Sequence, residues 1–246
     1  MNHMVTIEGR NAVIEALKAG RPIAKIMLAK GVRQSHSRVV KGLAHKAGIP
    51  VVETNRAELD AMGNTANHQG IIALGAAVHY YKSSIDILNE TQDKCVSPLF
   101  VILDEIQDPH NLGAIIRTCD AVGATGIIIP KRRACGLTAA VAKSSSGAIE
   151  YVPCARVPNL VREVDNLKER GFWIAGASAR ADKTIYEADL RGPLGIVIGS
   201  EGRGISSLLR KKCDFLVRVP SMGHVPSLNA SVAAAVILFE VLRQRQ

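Results

Sequence analysis

The sequence predicts an α/β protein in two parts: a small mixed module, then a larger parallel sheet with flanking helices. Three observations predict it. From Leu99 onward, short runs rich in Val and Ile recur, each followed by a helix-forming stretch. Strands covered on both faces have this composition, and such strands pair in parallel. Residues 4–74 alternate shorter helical and extended patterns. Apolar residues make up 47% of the 246 and aromatics only 4%, so the core must be aliphatic.

Taken in order, residues 4–19 carry Ala12, Val13, Ala16 and Leu17 at helical spacing and are expected to form a short helix. Residues 23–28 read as a strand. Residues 34–47 read as an amphipathic helix with Arg38, Lys41, His45 and Lys46 on its polar positions. A strand over 50–53, a short helix over 56–62 and a turn into a third strand over 68–74 complete an αβαβαβ module spanning residues 1–80. It holds no catalytic cluster. A folding or dimer module and an RNA-docking module are equally open readings. Residues 81–97 are polar and broken and read as a linker with a single helical turn at 85–88. In residues 98–246 the expected strands are 99–103, 126–129, 149–152, 172–177, 194–198 and 215–219. Pro220, Gly223 and Pro226 then open a loop, and a helix starts at Ser227 or Asn229. Its body over 232–239 is almost wholly apolar, so burial on most sides is expected.

The formal charge is +9. Residues 1–80 carry 10 Lys+Arg against 5 Asp+Glu, residues 98–246 carry 19 against 14, and the stretch between carries 2 against 3. The excess is thus shared by both parts. It points to a polyanion, and RNA fits better than a membrane because no basic amphipathic helix stands out. No apolar run reaches the roughly 18–20 residues that span a bilayer. The first residues lack the pattern of a signal peptide, so a cytoplasmic location is expected. The five cysteines (Cys95, Cys119, Cys135, Cys154, Cys213) are odd in number and scattered, which argues against both a disulfide framework and a zinc site. Cys119 reads as an apolar helix neighbour, with a lone nucleophile as the other possibility.

Ligands of parallel α/β sheets lie beyond the carboxyl ends of the strands, so the loops there carry the chemistry. In the first, residues 104–118, Pro109 holds off the helix, Asn111 can cap it, and Arg117 follows about one and two-thirds turns later. Arg117 is either tied structurally to a carboxylate or functional. In the second, Gly199, Gly202 and Gly204 permit close backbone approach to a ligand, but their G-x-x-G-x-G spacing is neither a dinucleotide fingerprint nor a P-loop. Glu201 there can hold an Arg or a hydroxyl. The third loop presents Ser227 and Asn229. His110 and His224 are each either a general base or solvated. Lys131, Arg132 and Arg133 are either a solvated turn or an RNA-backbone contact.

Three stretches carry a resemblance. Asn111-Leu112-Gly113-Ala114-Ile115-Ile116-Arg117-Thr118, then Ile198-Gly199-Ser200-Glu201-Gly202-Arg203-Gly204, then Val219-Pro220 with Ser227-Leu228-Asn229-Ala230-Ser231 resemble, in order and spacing, the signature motifs of the SpoU/TrmH family of the SPOUT superfamily. These are S-adenosylmethionine-dependent RNA ribose 2'-O-methyltransferases. Residues 5–78 look like the L30e-like substrate-binding domain found in many members. The resemblance implies a SPOUT-type parallel sheet with a C-terminal trefoil knot, and a homodimer. It implies S-adenosylmethionine held around Ile198, Gly199, Val219, Pro220 and Leu228, with no metal. It also implies that Arg117 activates the ribose hydroxyl, with Asn111, Glu201, Ser227 and Asn229 as companions. The member it resembles most methylates a guanosine in the peptidyl-transferase P-loop of 23S rRNA. A tRNA or antibiotic-resistance rRNA 2'-O-methyltransferase is the alternative within the same chemistry. A non-catalytic RNA-binding assembly protein is the alternative outside it.

Overall fold

The computed structural model describes residues 4–65, 68–91, 97–224 and 227–246. Cys95, Val225 and Pro226 lie outside the described residues. The chain divides into two compact units that do not follow sequence order. The first comprises residues 1–79 and 136–151, the second 80–135 and 152–246.

The first unit begins with strand β1 (Met4–Glu8), where the sequence predicts helix. Val5 and Ile7 alternate with polar residues, and β1 pairs antiparallel with a later strand, Ile7 opposite Ala73. The helical spacing starts only after Gly9, whose φ of 94° breaks the chain direction. Helix α1 (Arg10–Lys18) then buries Ala12, Val13, Ala16 and Leu17, the four residues singled out by spacing. There follow β2 (Ile23–Ala29), α2 (Gln34–Lys46), β3 (Val51–Thr54), α3 (Arg56–Met62) and β4 (Ile71–Ala76). The sheet order is β1-β4-β2-β3. Buried His68, ahead of β4, bonds Asp60 through Nε2 (2.7 Å) and accepts from the Gly70 amide through Nδ1 (3.1 Å).

In the second unit the expected linker holds a full helix, α4 (Ser84–Thr91). Ile87 is fully buried in the core, and Ser84 is tied by its amide and hydroxyl to buried Glu163. Of the polar positions that suggested a linker, Asp86, Asn89 and Glu90 are the exposed face of this helix. Strand β5 (Leu99–Asp104), helix α5 (Pro109–Ala121) and strand β6 (Gly126–Pro130) come next. Helix α6 (Ala139–Ser144) and a 3₁₀ turn (Ala148–Glu150) belong to the first unit. The strand expected at 149–152 is therefore displaced. Ile149 is buried in the turn, and β7 (Cys154–Val157) begins after Pro153. A short apolar run does not distinguish a strand from a buried turn.

The remaining elements are α7 (Leu160–Lys168), β8 (Trp173–Ala177), β9 (Lys183–Thr184), β10 (Leu194–Gly199), α8 (Ser207–Lys212), β11 (Phe215–Arg218) and α9 (Ala230–Arg245). The seven strands run β7-β6-β5-β10-β8-β11-β9, and every pairing is parallel. On one face Phe100, Ile102, Ile128, Ile174 and Val197 pack with Ile87, Val164, Leu167 and Leu209 of α4, α7 and α8. Helices α5 and α9 pack on each other and bury Leu112, Ile115, Ile116 and Cys119 with Ala234, Ile237, Leu238 and Val241. Burial drives the Cys119 thiol pKa far upward, as expected of an apolar neighbour rather than a nucleophile. α9 is not buried all round: Val232 is 47% and Phe239 51% exposed. Among the described residues no helix is long and apolar enough to cross a membrane.

Candidate active site

The chain passes outward from β5 through β6 to β7, then returns to the other side of β5. The order therefore reverses between β5 and β10, whose ends meet as Asp104 beside Gly199. A crevice is expected at such a reversal. Asp104, 6% exposed, accepts from the Ser206 amide (2.7 Å) and fixes the turn that follows β10 to the end of β5. That turn folds back on itself, with the Gly204 amide donating to the Ser200 carbonyl (2.8 Å). A Cβ at Gly199 would overlap the Gly204 carbonyl and the Ile205 nitrogen, so only glycine fits there.

Helix α5 starts three residues earlier than a cap at Asn111 would place it. Asp108 is its cap, accepting from the His110 amide (3.0 Å), and Pro109 takes the first helical position, where a missing N–H costs nothing. Asn111 is thereby released from capping. Its Nδ2 donates to Glu201 Oε1 (3.0 Å), and its Oδ1 accepts from Asn229 Nδ2 (3.0 Å). Asn229 Nδ2 also bonds Glu201 directly. The Oδ1 of Asn229 caps α9, accepting from the amides of Ser231 (2.9 Å) and Val232 (3.2 Å). One amide side chain thus anchors a helix with one end and holds a carboxylate with the other. Three stretches far apart in sequence meet at Asn111, Glu201 and Asn229.

Beside this cluster lies a crevice of about 510 Å³. Ile198, Gly199, Val219, Leu228, Glu201 and Ser227 line it; Pro220 is exposed and does not. Arg117 stands exposed on α5 and is not among the lining residues. His110 and His224 are likewise exposed and line nothing here. Sequence reasoning missed the end of β8, where Ser178 and Arg180 join the wall, and also Arg210 and Arg218. These follow no spacing rule: Ser178 and Arg180 follow β8, Arg218 ends β11, and Arg210 lies in the last turn of α8. Arg133 pairs with Glu105 (3.2 Å), which also faces Arg203 (3.8 Å), while Lys131 and Arg132 are exposed. Glu105, directly after β5, holds a left-handed φ of 59°. A larger cavity of about 690 Å³, by Trp173 and Phe215, lies at the amino ends of the strands, away from this chemistry. Among the described residues no group of three or more His, Cys, Asp or Glu side chains is placed to hold a metal.

A wholly parallel sheet with a glycine-walled crevice at its order reversal, bordered by an amide–carboxylate cluster, defines an α/β protein of the ligand-at-the-strand-ends class. Residues 98–239 match the SpoU rRNA methylase family, and residues 6–81 match the substrate-binding domain of RNA 2'-O ribose methyltransferases. The TrmH-family protein YacO of Bacillus subtilis (strain 168) is 49% identical over 96% of this chain and 94% of its own. The SpoU methyltransferase AviRb of Streptomyces viridochromogenes, solved with AdoMet, shares the fold. Its TM-score is 0.81, at 24% identity over 98% of this chain and 90% of that one. A crystal structure of an RNA 2'-O ribose methyltransferase aligns with a TM-score of 0.81, at 25% identity over 99% of this chain and 89% of that one. The chain belongs to the SpoU/TrmH family of RNA 2'-O-ribose methyltransferases.

Proposed function

We propose that this protein transfers a methyl group from S-adenosylmethionine to the ribose 2'-hydroxyl of a guanosine in the peptidyl-transferase P-loop of 23S rRNA. It acts in the cytoplasm as a homodimer. The observation that carries the reading is the cluster of Asn111, Glu201 and Asn229, which ties all three family motifs together at the lip of the crevice.

The crevice suits the cofactor. Its volume of about 510 Å³ falls in the range of small-molecule sites. Ile198, Val219 and Leu228 offer apolar contact for a nucleoside, and the glycine-walled turn offers backbone polar groups at close range. When bound, the cofactor supplies an electrophilic methyl carbon on a sulfonium. Glu201 holds Asn111 and Asn229 in place. Ser227, on the same wall, presents a hydroxyl to the sugar. Arg117 orients the target phosphate and stabilises the oxygen as its proton passes to solvent water and S-adenosylhomocysteine departs. It is not the base, because a guanidinium stays protonated to a pKa above about 12. Exposed Val232 and Phe239 on α9 support the homodimer. A knotted path for the final segment belongs to the same proposal.

Labelled-methyl transfer to unmodified 23S rRNA, followed by nuclease mapping, is expected to give one 2'-O-methylguanosine. Arg117→Ala should lower transfer by roughly 100-fold or more, while calorimetry finds cofactor affinity nearly unchanged. Label appearing in tRNA alone would reassign the substrate. Near-normal turnover by the variant would remove Arg117 from the chemistry.

A further inference from the structure

The crevice carries more positive charge than its cofactor can use. Among the described lining residues Arg180, Arg203, Arg210 and Arg218 supply four guanidiniums, and Glu201 is the one carboxylate. Glu201 already accepts from Asn111 and Asn229. S-adenosylmethionine brings a sulfonium and an ammonium against a single carboxylate, so it enters as a net cation. A wall of guanidiniums weakens the binding of such a ligand, and an anion that enters with it removes the penalty.

The arginines are also placed to receive one. Arg180 follows β8, Arg203 lies in the turn after β10, and Arg218 ends β11, so adjacent strand ends deliver them to one crevice. Arg203 is 85% exposed, and its nearest carboxylate, Glu105 at 3.8 Å, is shared with Arg133. Guanidiniums bind phosphate through paired N–H donors.

We infer that Arg180, Arg203 and Arg218 form a phosphodiester-binding wall of the crevice, so that the RNA backbone supplies the negative charge the net-cationic cofactor needs. This rests on the reading of the crevice as the cofactor site. RNA and S-adenosylmethionine then bind with positive coupling, which linkage makes reciprocal. Without RNA, the neutral sulfide product S-adenosylhomocysteine binds more tightly than its charged parent.

The test uses the full-length protein and a fluorescent single-stranded RNA whose anisotropy is titrated across salt concentrations. An Arg180→Gln, Arg218→Gln double variant should bind it more weakly. Its slope of log affinity against log salt should fall by about 1.4, roughly 0.7 for each phosphate no longer neutralised. Circular dichroism verifies its fold. Calorimetry of the variant without RNA should show S-adenosylmethionine affinity raised, with the preference for S-adenosylhomocysteine narrowed. An unaltered salt slope overturns the inference, as does a variant that loses cofactor affinity, since the arginines would then serve the cofactor itself. Neither readout requires turnover. Failure of wild-type methyl transfer to rRNA would instead count against the function proposed above.

Discussion

At Gly199 the backbone leaves no room for a side chain. The Gly204 carbonyl and the Ile205 nitrogen occupy the space a Cβ needs, and neither is the mobile tip of a flexible residue. Gly199→Ala must therefore open the turn that walls the crevice. Strain of this kind in packed structure costs typically about 1–3 kcal/mol or more. The expected outcome is a folded protein by far-ultraviolet circular dichroism with S-adenosylmethionine binding lost by calorimetry. Normal binding would mean the turn does not shape the cofactor site. The same residue shows what a sequence can disclose. Three glycines in six residues announced a close approach, but not that the partner would be the turn's own backbone. Asn favours caps, so the sequence points to Asn111, yet Asp108 takes that role. Of the crevice arginines, Arg203 stands inside the glycine-rich motif, whereas Arg180, Arg210 and Arg218 are illegible, since the fold brings them together with no fixed spacing.

Among the elements, legibility followed the length of the apolar pattern. Strands β5, β6, β8, β10 and β11 were readable because each is a short continuous apolar run within the sheet. Helices α6 and α8, six residues each, are legible only as stretches without bounds after an apolar run, and strand β9, two residues long, is not legible at all. Strand β1 was hidden by the helical spacing that follows it. A carboxylate holds that strand. Glu8, its last residue and fully buried, accepts from the amides of Asn64 (2.6 Å) and Thr65 (2.9 Å) and from the Thr65 hydroxyl (2.6 Å). Burial pushes the Glu8 pKa up, but bonds from Thr65, Asn64 and Thr6 together outweigh it, and the net shift is below the usual 4.5. A lowered carboxyl stabilises the fold in full above 4.5 and loses that contribution as pH falls through its folded value. The melting temperature of the wild type should therefore drop on acidification below about 4.5. Glu8→Gln, which leaves buried donors poorly matched, should cost about 1–3 kcal/mol at neutral pH and flatten that acid limb. An acid limb as steep in the variant as in the wild type would assign it to other carboxylates.

For the molecule as a whole, the order of the chain is a poor guide to which residues fold together. The sequence changes character at Leu99, yet residues 136–151 pack with the first seventy-nine. An ion pair fastens this segment. Arg21 Nη1 lies 2.6 Å from Glu150 Oε1, and the two side chains are only 8% and 6% exposed. Arg21 also donates through Nε to the Ala76 carbonyl (2.7 Å). Helix α6 packs against β1, and the Tyr151 hydroxyl donates to Glu15 (2.7 Å). Local pattern could not reveal this, because the paired charges stand 129 residues apart. Burial raises the Glu150 carboxyl above its usual range, and Arg21 only partly offsets it. Such a pair adds little over apolar packing, but losing one partner strands a buried charge. Glu150→Gln should therefore destabilise the protein by about 3–5 kcal/mol in a denaturant melt. The double variant Arg21→Met, Glu150→Leu should recover most of that loss. Equal damage from the single and double changes would mean that hydrogen bonding to the Ala76 carbonyl, rather than charge pairing, fastens the segment.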